Sequence, residues 1–234
     1  MPKNTVSPSL TTVVELPVAD ALYLARAGIA AVSKDDITPV ITGVRLSAEG
    51  GLLKVLATDR FRVHRAVAVL EGDVSFEPVN VPSSAWRWLI ANAGFFGRGL
   101  LDPLLRIEIV RKEAAKPSPL PAGSLQLPEG SVTVTIYEST DTDGPFVALH
   151  TQLVPGGFPE GVEKLLDDAI ATDPDASDAG TVDLDFLAKC RPLASYRGEK
   201  PKVKFVAGSN PTKPGQVVVT YSQGQALIAK ALDR

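Results

Sequence analysis

The feature that most constrains this sequence is a coarse repeat, in which a strand and a helix are followed by three strands. The first copy opens with the Thr- and Val-rich run 11–16 and continues into 18–32, whose apolar residues recur at helical spacing. Pro17 suits the first turn of that helix, because its missing N–H would have no partner there in any case. Gly50 and Gly51 predict a hairpin turn. The three strands are predicted at 43–48, 52–57 and 61–70.

Two further copies follow in the same order. The second is predicted as a strand, a helix and three strands at 79–81, 85–96, 104–111, 131–138 and 146–154. The third is predicted in the same way at 181–183, 184–190, 203–207, 216–221 and 225–230. The stretch 167–180 has five aspartates and neither Lys nor Arg, which predicts an acidic solvated linker. We therefore expect a complete two-repeat domain at 1–166 and a third repeat at 181–234, in the α+β class with helices covering one face of antiparallel sheets.

Composition narrows the class of protein. Hydrophobic residues make up 44% and charged residues 22%, as in ordinary globular chains, and no apolar run is long enough to cross a bilayer. A cytoplasmic protein is therefore expected. Cys190 is the only cysteine, and the two histidines, His64 and His150, each lie in a strand-like stretch. One cysteine and two histidines are too few to predict a zinc site or a Cys–His nucleophile pair, and we expect no metal or cofactor.

Charge is distributed unevenly along the chain. The candidate helices 18–32, 83–98 and 184–197 sum to plus four, so the remainder carries minus seven to give the net charge of −3. This segregation suits helices that face a polyanion while the outer surface stays acidic, although ordinary solvation of helices explains it equally well. The candidate phosphate contacts are Arg26, Arg87, Arg98, Lys189, Arg191 and Arg197.

Several collinear segments resemble one known family. Residues 39–46 (Pro-Val-Ile-Thr-Gly-Val-Arg-Leu) and 52–63, which end in Ala-Thr-Asp-Arg-Phe-Arg-Val, are similar to the middle domain of bacterial DNA polymerase III beta subunits, the DNA sliding clamps. Val81-Pro82 before a helix and the Gly-Gly-Phe-Pro turn within 153–160 resemble later parts of that domain. Residues 181–234 resemble the C-terminal half of the family's last domain more weakly, because Lys-Ala-Leu-Asp-Arg replaces the usual Met-Pro-aliphatic-Arg ending.

The resemblance implies a non-enzymatic replication protein. Family members encircle double-stranded DNA without reading its sequence, and they bind the polymerase and the clamp loader through a pocket for short peptides. Many members have Gly-His where this chain has Arg60-Phe61, so the pocket rim is expected to be bulkier here. The positions that match the pocket are Ile41, Thr58, Arg60, Phe61, Arg62 and Val63, together with Ile228 and Leu232 of the C-terminal strand.

The resemblance also raises the question of assembly. Family members have three domains of two units each, and two chains close a ring. With about three units, this chain resembles a shortened form of bacterial or phage origin, and four copies would supply the same ring; a dimer or a trimer stays open. A clamp-like decoy that binds partners without closing a ring, and an interaction module that does not bind DNA, are the alternatives. An enzyme is disfavoured, because the sequence lacks a Gly-x-Ser-x-Gly elbow, a phosphate-binding glycine loop and a His-x-x-x-His motif.

Overall fold

The computed structural model describes residues 9–35, 37–96, 103–112, 130–138, 147–172, 184–206 and 215–229. The first unit consists of β1 (Ser9–Pro17), α1 (Val18–Ile29), β2 (Gly43–Glu49), β3 (Leu52–Thr58) and β4 (Arg62–Val69), with a 3-10 turn at Pro39–Ile41. The second consists of β5 (Phe76–Pro82), α2 (Ser83–Phe96), β6 (Pro103–Lys112), β7 (Gly130–Glu138) and β8 (Val147–Gln152). After α3 (Gly161–Ala171), the third consists of α4 (Leu184–Lys189), a 3-10 turn (Arg191–Leu193), β9 (Lys202–Val206), β10 (Gln216–Thr220) and β11 (Gly224–Ala229). The helices and strands predicted from the repeat are confirmed, except that the predicted strand 181–183 lies outside the described residues.

The first two units interlock by exchanging their first strands. One sheet has the order β1-β6-β7-β8, so the strand that opens the first unit lies beside the strands of the second. The other sheet begins β5-β2-β3-β4, which is the reverse exchange. Neither sheet can form without both units, and this supports the proposal that they make up one domain. The predicted α+β class, with antiparallel sheets, is confirmed.

The third unit extends the second sheet. Its strands continue the order β4-β11-β10-β9, and β4 pairs with β11 in antiparallel register from Arg62↔Ile228 to Ala66↔Gly224. Two flanking hydrogen bonds lengthen this junction, because Ala229 N donates to Phe61 O at 2.8 Å and Val67 N donates to Gln223 O at 3.0 Å. The result is a sheet of seven strands drawn from all three units.

The seven-stranded sheet buries apolar side chains on both faces. On one face, Val55 and Ala226 belong to the main core, which also contains the buried residues of α1 and α2. On the other face, Leu56 and Leu227 belong to a separate outer cluster. Because consecutive residues of a strand point to opposite faces, this division places α1 and α2 on one side of the sheet and the outer cluster on the other.

Helix α3 covers the outer cluster and corrects one expectation. The predicted acidic linker at 167–180 is wrong over 167–171, because α3 continues to Ala171, while 173–183 lies outside the described residues. Leu166 and Ala169 are buried against the outer cluster, and Asp167 and Asp168 are exposed on the same helix. The acidic composition therefore reflects the solvent side of an amphipathic helix.

The β2–β3 hairpin provides a test of this backbone geometry. Gly50 and Gly51 both have positive φ, at 56° and 73°. A Cβ added to Gly51 would lie 2.7 Å from Gly72 O, whereas one added to Gly50 would meet nothing within 4 Å. We expect Gly51→Ala to lower the free energy of unfolding by about 2–4 kcal/mol, and Gly50→Ala to lower it by about 1 kcal/mol. Urea unfolding of the two variants measures both; equal losses would contradict the close approach of Gly51 to the 70–72 turn.

Candidate functional site

Helices α1 and α2 lie side by side on the inner face of the sheets. Small buried residues let α1 approach the sheet closely, since a Cβ at Gly28 would lie 2.9 Å from Val44 Cγ1. On α2 the exposed positions Ser84, Arg87, Ala91 and Gly94 recur at three- and four-residue spacing. Over residues 83–94, the exposed stripe of α2 therefore carries one charge, Arg87, and otherwise only small side chains.

The predicted phosphate contacts that the structure describes are all exposed. They are Arg26 on α1, Arg87 on α2, Lys189 at the end of α4, Arg191 in the following 3-10 turn and Arg197 in the next turn. Arg98 lies outside the described residues. Within the described part of the chain, Arg26, Arg87, Arg191 and Arg197 form no ion pair with a carboxylate. We call these helices and the 3-10 turn the helix face.

On the opposite face of the sheet, three cations form ion pairs with carboxylates of α3. Glu163 of α3 accepts from Lys54 Nζ at 2.7 Å and lies 3.4 Å from Arg45 Nη1. Asp167 of α3 accepts from Arg65 Nη1 at 2.6 Å. Arg45, Lys54 and Arg65 are thus ion-paired with α3, whereas the four helix-face arginines have no ion pair among the described residues and are available to an external anion. Sequence reasoning missed α3 and its carboxylates, although the apolar positions 162, 166 and 169 have helical spacing.

The predicted peptide-pocket residues begin in the β3–β4 turn. Asp59 organises this turn, because its carboxylate accepts from the N–H of Phe61 at 3.2 Å and from Arg62 Nε at 2.8 Å. The buried Thr58 hydroxyl donates to Arg62 O at 2.8 Å. Arg60 has a φ of 76°, a left-handed conformation that this hydrogen-bonded turn stabilises. Asp59 is therefore a turn and ion-pair residue.

Arg62 occupies an unusual position for a charged side chain. It is 7% exposed, pairs with Asp59, and places its guanidinium carbon 5.5 Å from the centre of the Phe186 ring of α4. Its Nη1 atom is buried without a hydrogen-bond partner in the structure. Arg62 thus links the β3–β4 turn to the third unit, and one of its donors is left for a further acceptor.

The turn opens onto a cleft of about 340 Å³. Arg60, Phe61 and Arg62 line it together with Lys189 of α4. Phe61 is 62% exposed, which is a large fraction for a phenylalanine at the mouth of a cleft. The structure therefore brings three of the predicted pocket residues together with one of the predicted phosphate contacts.

The remaining pocket residues are placed elsewhere. Val63 lies in the outer cluster, on the sheet face that α3 covers. Ile41 and Ile228 are 2% and 0% exposed and pack within the fold, so their role as pocket walls stays a prediction. Leu232 lies outside the described residues. The predicted pocket residues follow one another in a sequence motif. Because successive strand residues point to opposite faces of the sheet, their side chains lie on different faces.

The side chains of His64 and Cys190 lie in contact in the interior, which the sequence did not predict. Cys190 Sγ lies 3.8 Å from His64 Nε2, and the other ring nitrogen of His64 lies 3.0 Å from Ala27 O. Burial raises the pKa of the Cys190 thiol to about 11, against a smaller opposing effect of Arg62. Burial also lowers the pKa of His64 to about 4. Both groups are neutral near pH 7, which is the reverse of the thiolate–imidazolium pair of a cysteine nucleophile, so the contact ties α1 and β4 to the third unit.

The depressed pKa of His64 predicts a pH-dependent stability. Between pH 6.5 and 4 the unfolded chain takes up a proton that the folded chain refuses, so this contribution is complete above pH 6.5 and is lost as the pH falls to 4. We expect a loss of about 3 kcal/mol across that window. Urea unfolding at several pH values measures it. His64→Asn keeps a donor near Ala27 O without a titrating ring, and an identical pH dependence in that variant would contradict the assignment.

The described ranges contain neither a metal-binding cluster nor an apolar helix of membrane-spanning length. These ranges contain no group of three or more His, Cys, Asp or Glu side chains placed to hold a metal ion. None of the helices in these ranges is both long enough and apolar enough to span a membrane.

Similarity to known proteins is confined to solved structures. No protein-family model and no curated protein sequence matches the chain. The DNA polymerase III beta subunit of Thermotoga maritima has a TM-score of 0.59 at 11% identity, and the match covers 100% of this chain and 68% of that one. The beta chain from Streptococcus pneumoniae and the sliding clamp from Bacillus subtilis each have a TM-score of 0.57 at 13% identity, with 100% of this chain and 67% of theirs covered. The chain therefore has the fold of the bacterial DNA polymerase III beta subunit, the sliding clamp.

Proposed function

We propose that this protein is a DNA sliding clamp, a ring that encircles duplex DNA and tethers a polymerase to it. The observation that carries the proposal is the helix face, where Arg26, Arg87 and Arg191 are exposed without an ion pair among the described carboxylates, while Arg45, Lys54 and Arg65 on the other side of the sheet are ion-paired with α3. A fold shared with sliding clamps supports the same conclusion. The protein would act in the cytoplasm, with the DNA that it encircles.

The chemistry of the helix face suits sliding. Arginine and lysine side chains that contact phosphates neutralise charge without reading base edges, so binding is indifferent to sequence and weakens as salt rises. The small exposed side chains on either side of Arg87 on α2, Ser84, Ala91 and Gly94, leave room for the duplex and provide no specific docking point. Such a surface holds DNA weakly at any one position, and a closed ring would supply the lasting attachment.

Ring closure needs several copies. Four copies of the 234-residue chain would supply twelve units, and we propose this tetramer ahead of a dimer or a trimer. The outer edges of β8 and β9 support assembly, because no described strand pairs with either of them. Antiparallel pairing at such edges is the means by which β4 and β11 already join two units of this chain.

The cleft beside the β3–β4 turn is the proposed partner site. Exposed Phe61 offers an apolar contact, and Arg60, Arg62 and Lys189 offer donors to a peptide carboxylate or carbonyl. A short linear segment of a polymerase or of a clamp loader would bind here. Phe61→Ser should weaken binding of such a segment. Phe158→Ser, which alters a second cleft of about 350 Å³, should leave that binding unchanged.

The alternative is a decoy that presents the cleft without closing a ring. Light scattering across a range of protein concentrations distinguishes the two. The clamp proposal predicts a stable closed oligomer whose mass does not change over micromolar concentrations. A monomer at every concentration would overturn the sliding mechanism and favour the decoy.

A further inference from the structure

The last strand of each unit occupies a special position in the sheets. In the first unit β4 is the third of the strands β2-β3-β4, and β8 holds the same place in β6-β7-β8. The first strand of the other unit closes the opposite end of each set, as β5 on β2 and β1 on β6. Thus β4 and β8 are equivalent by the internal repeat, and they differ only in what lies beyond them.

Beyond β4 lies β11, which is itself the last strand of the third unit. This chain therefore joins units by pairing one last strand with another in antiparallel orientation. Beyond β8 no described strand is present. By the same rule β8 should pair with a last strand, and in a second copy β4 and β11 already occupy each other. Of the described strands, only the β8 of that second copy is left.

The composition of the edge strands also indicates that β8 is the edge open to pairing. Natural sheets protect exposed edges with charge or proline, because bare edges pair with other chains. The edge strand β1 contains Glu15, β5 contains Pro78, and β9 contains Lys202 and Lys204. The sequence of β8, Val-Ala-Leu-His-Thr-Gln, contains no Asp, Glu, Lys, Arg or Pro. It is the one unprotected edge among the four in the described sheets.

The direction of its backbone groups fixes how β8 would pair. Leu153 N donates to Gly130 O at 3.0 Å, continuing the register in which Gln152 lies opposite Ser131. Because antiparallel ladders alternate, the odd-numbered residues of β8 direct their N–H and C=O groups to β7, and Ala148, His150 and Gln152 direct theirs outward. The outer edge of β8 therefore presents three residues with both backbone groups available for pairing.

We infer that β8 pairs with the β8 strand of a second copy about a two-fold axis at His150. A two-fold axis perpendicular to the sheet keeps each residue on its own face, so a residue must pair with itself at the centre. Centring on His150 also pairs Ala148 with Gln152, and all three outward-facing residues then form hydrogen-bonded pairs. Centring on Leu149 would leave Gln152 outside the ladder. The inference specifies one interface of the proposed ring, but the pairing itself does not depend on DNA binding.

Two substitutions test the edge with little effect on the ladder to β7. His150→Pro removes an N–H that β7 does not use, and His150→Val keeps that N–H with a residue suited to strands. We expect the valine variant to keep the mass of the wild-type oligomer in light scattering and the proline variant to form particles of half that mass. An oligomer whose mass is the same in both variants would overturn the β8 interface while leaving a ring of other geometry intact. A wild-type chain that is monomeric at all concentrations would overturn both proposals.

A cross-linking experiment tests the register without relying on proline. In a hydrogen-bonded antiparallel pair the Cα atoms lie about 5.5 Å apart, within disulfide range. His150→Cys should therefore form a covalent dimer under oxidised glutathione, since the native Cys190 is buried and cannot compete. Leu165→Cys, exposed on α3 and away from both free sheet edges, is the control. Cross-linking of the two variants at the same slow rate would contradict pairing at His150.

Discussion

Reversing two charges on the helix face should abolish most of the DNA affinity. In the double variant Arg26→Glu with Arg87→Glu, we expect duplex binding at low salt to weaken by roughly 100-fold or more, because two phosphate contacts per chain become repulsions. The slope of log affinity against log salt should become shallower by about 0.9 for each phosphate that is no longer neutralised. Fluorescence anisotropy with a labelled duplex over a series of salt concentrations measures both quantities.

The control for this experiment changes the same net charge on the other side of the molecule. Arg106 is exposed on the outer side of β6, and Lys164 is exposed on α3. The double variant Arg106→Glu with Lys164→Glu should bind DNA within about threefold of the wild type at about 0.15 M salt, where charges farther away than a Debye length of about 8 Å are largely screened. Equal reductions in the two double variants would show that net charge, and not the helix face, governs binding.

The second large effect is expected at α3. Leu166 is 0% exposed and packs with Leu56, Val63 and Leu227 of the outer cluster. Leu166→Asp buries a carboxyl group without a partner, so it should lower the free energy of unfolding by about 4 kcal/mol or release α3 from the sheet. Urea unfolding measures the first outcome, and binding of an apolar dye to the uncovered strands measures the second.

The neighbouring residue supplies the control. Leu165 is 46% exposed on the solvent side of the same helix, and Leu165→Asp should change the free energy of unfolding by less than about 0.5 kcal/mol. A Leu166→Asp variant as stable as the Leu165→Asp variant, with no gain in dye binding, would contradict the packing of α3 on the β4–β11 junction.

The fold could be predicted from sequence where periodicity was strong. Strand alternation and turn residues located β2 and β3 on either side of Gly50–Gly51, and helical spacing located α1. Helix α3 was missed because its aspartates suggested a solvated segment, whereas Leu166 and Ala169 bury its other side. Composition averages over both sides of a helix, and only periodicity separates them.

The candidate site was predicted less well, for a different physical reason. A motif gives the order of residues along a strand, but successive residues point to opposite faces. Arg62 and Val63 are adjacent in sequence, yet Arg62 reaches Phe186 of α4 while Val63 packs beneath α3. The pairing of β4 with β11, which draws the third unit against the first, joins residues as distant in sequence as Arg62 and Ile228 and has no local signal.

Encirclement of DNA by a ring of this protein can be tested by trapping the ring on a closed circle. A linear duplex with cohesive ends can thread a closed ring by diffusion, and ligation then turns any threaded ring into a topologically linked one. We expect the protein to stay with the ligated circle through a high-salt wash that removes ionic contacts, and to be released when the circle is cut once. Release at high salt from circles and linear duplexes alike would contradict encirclement.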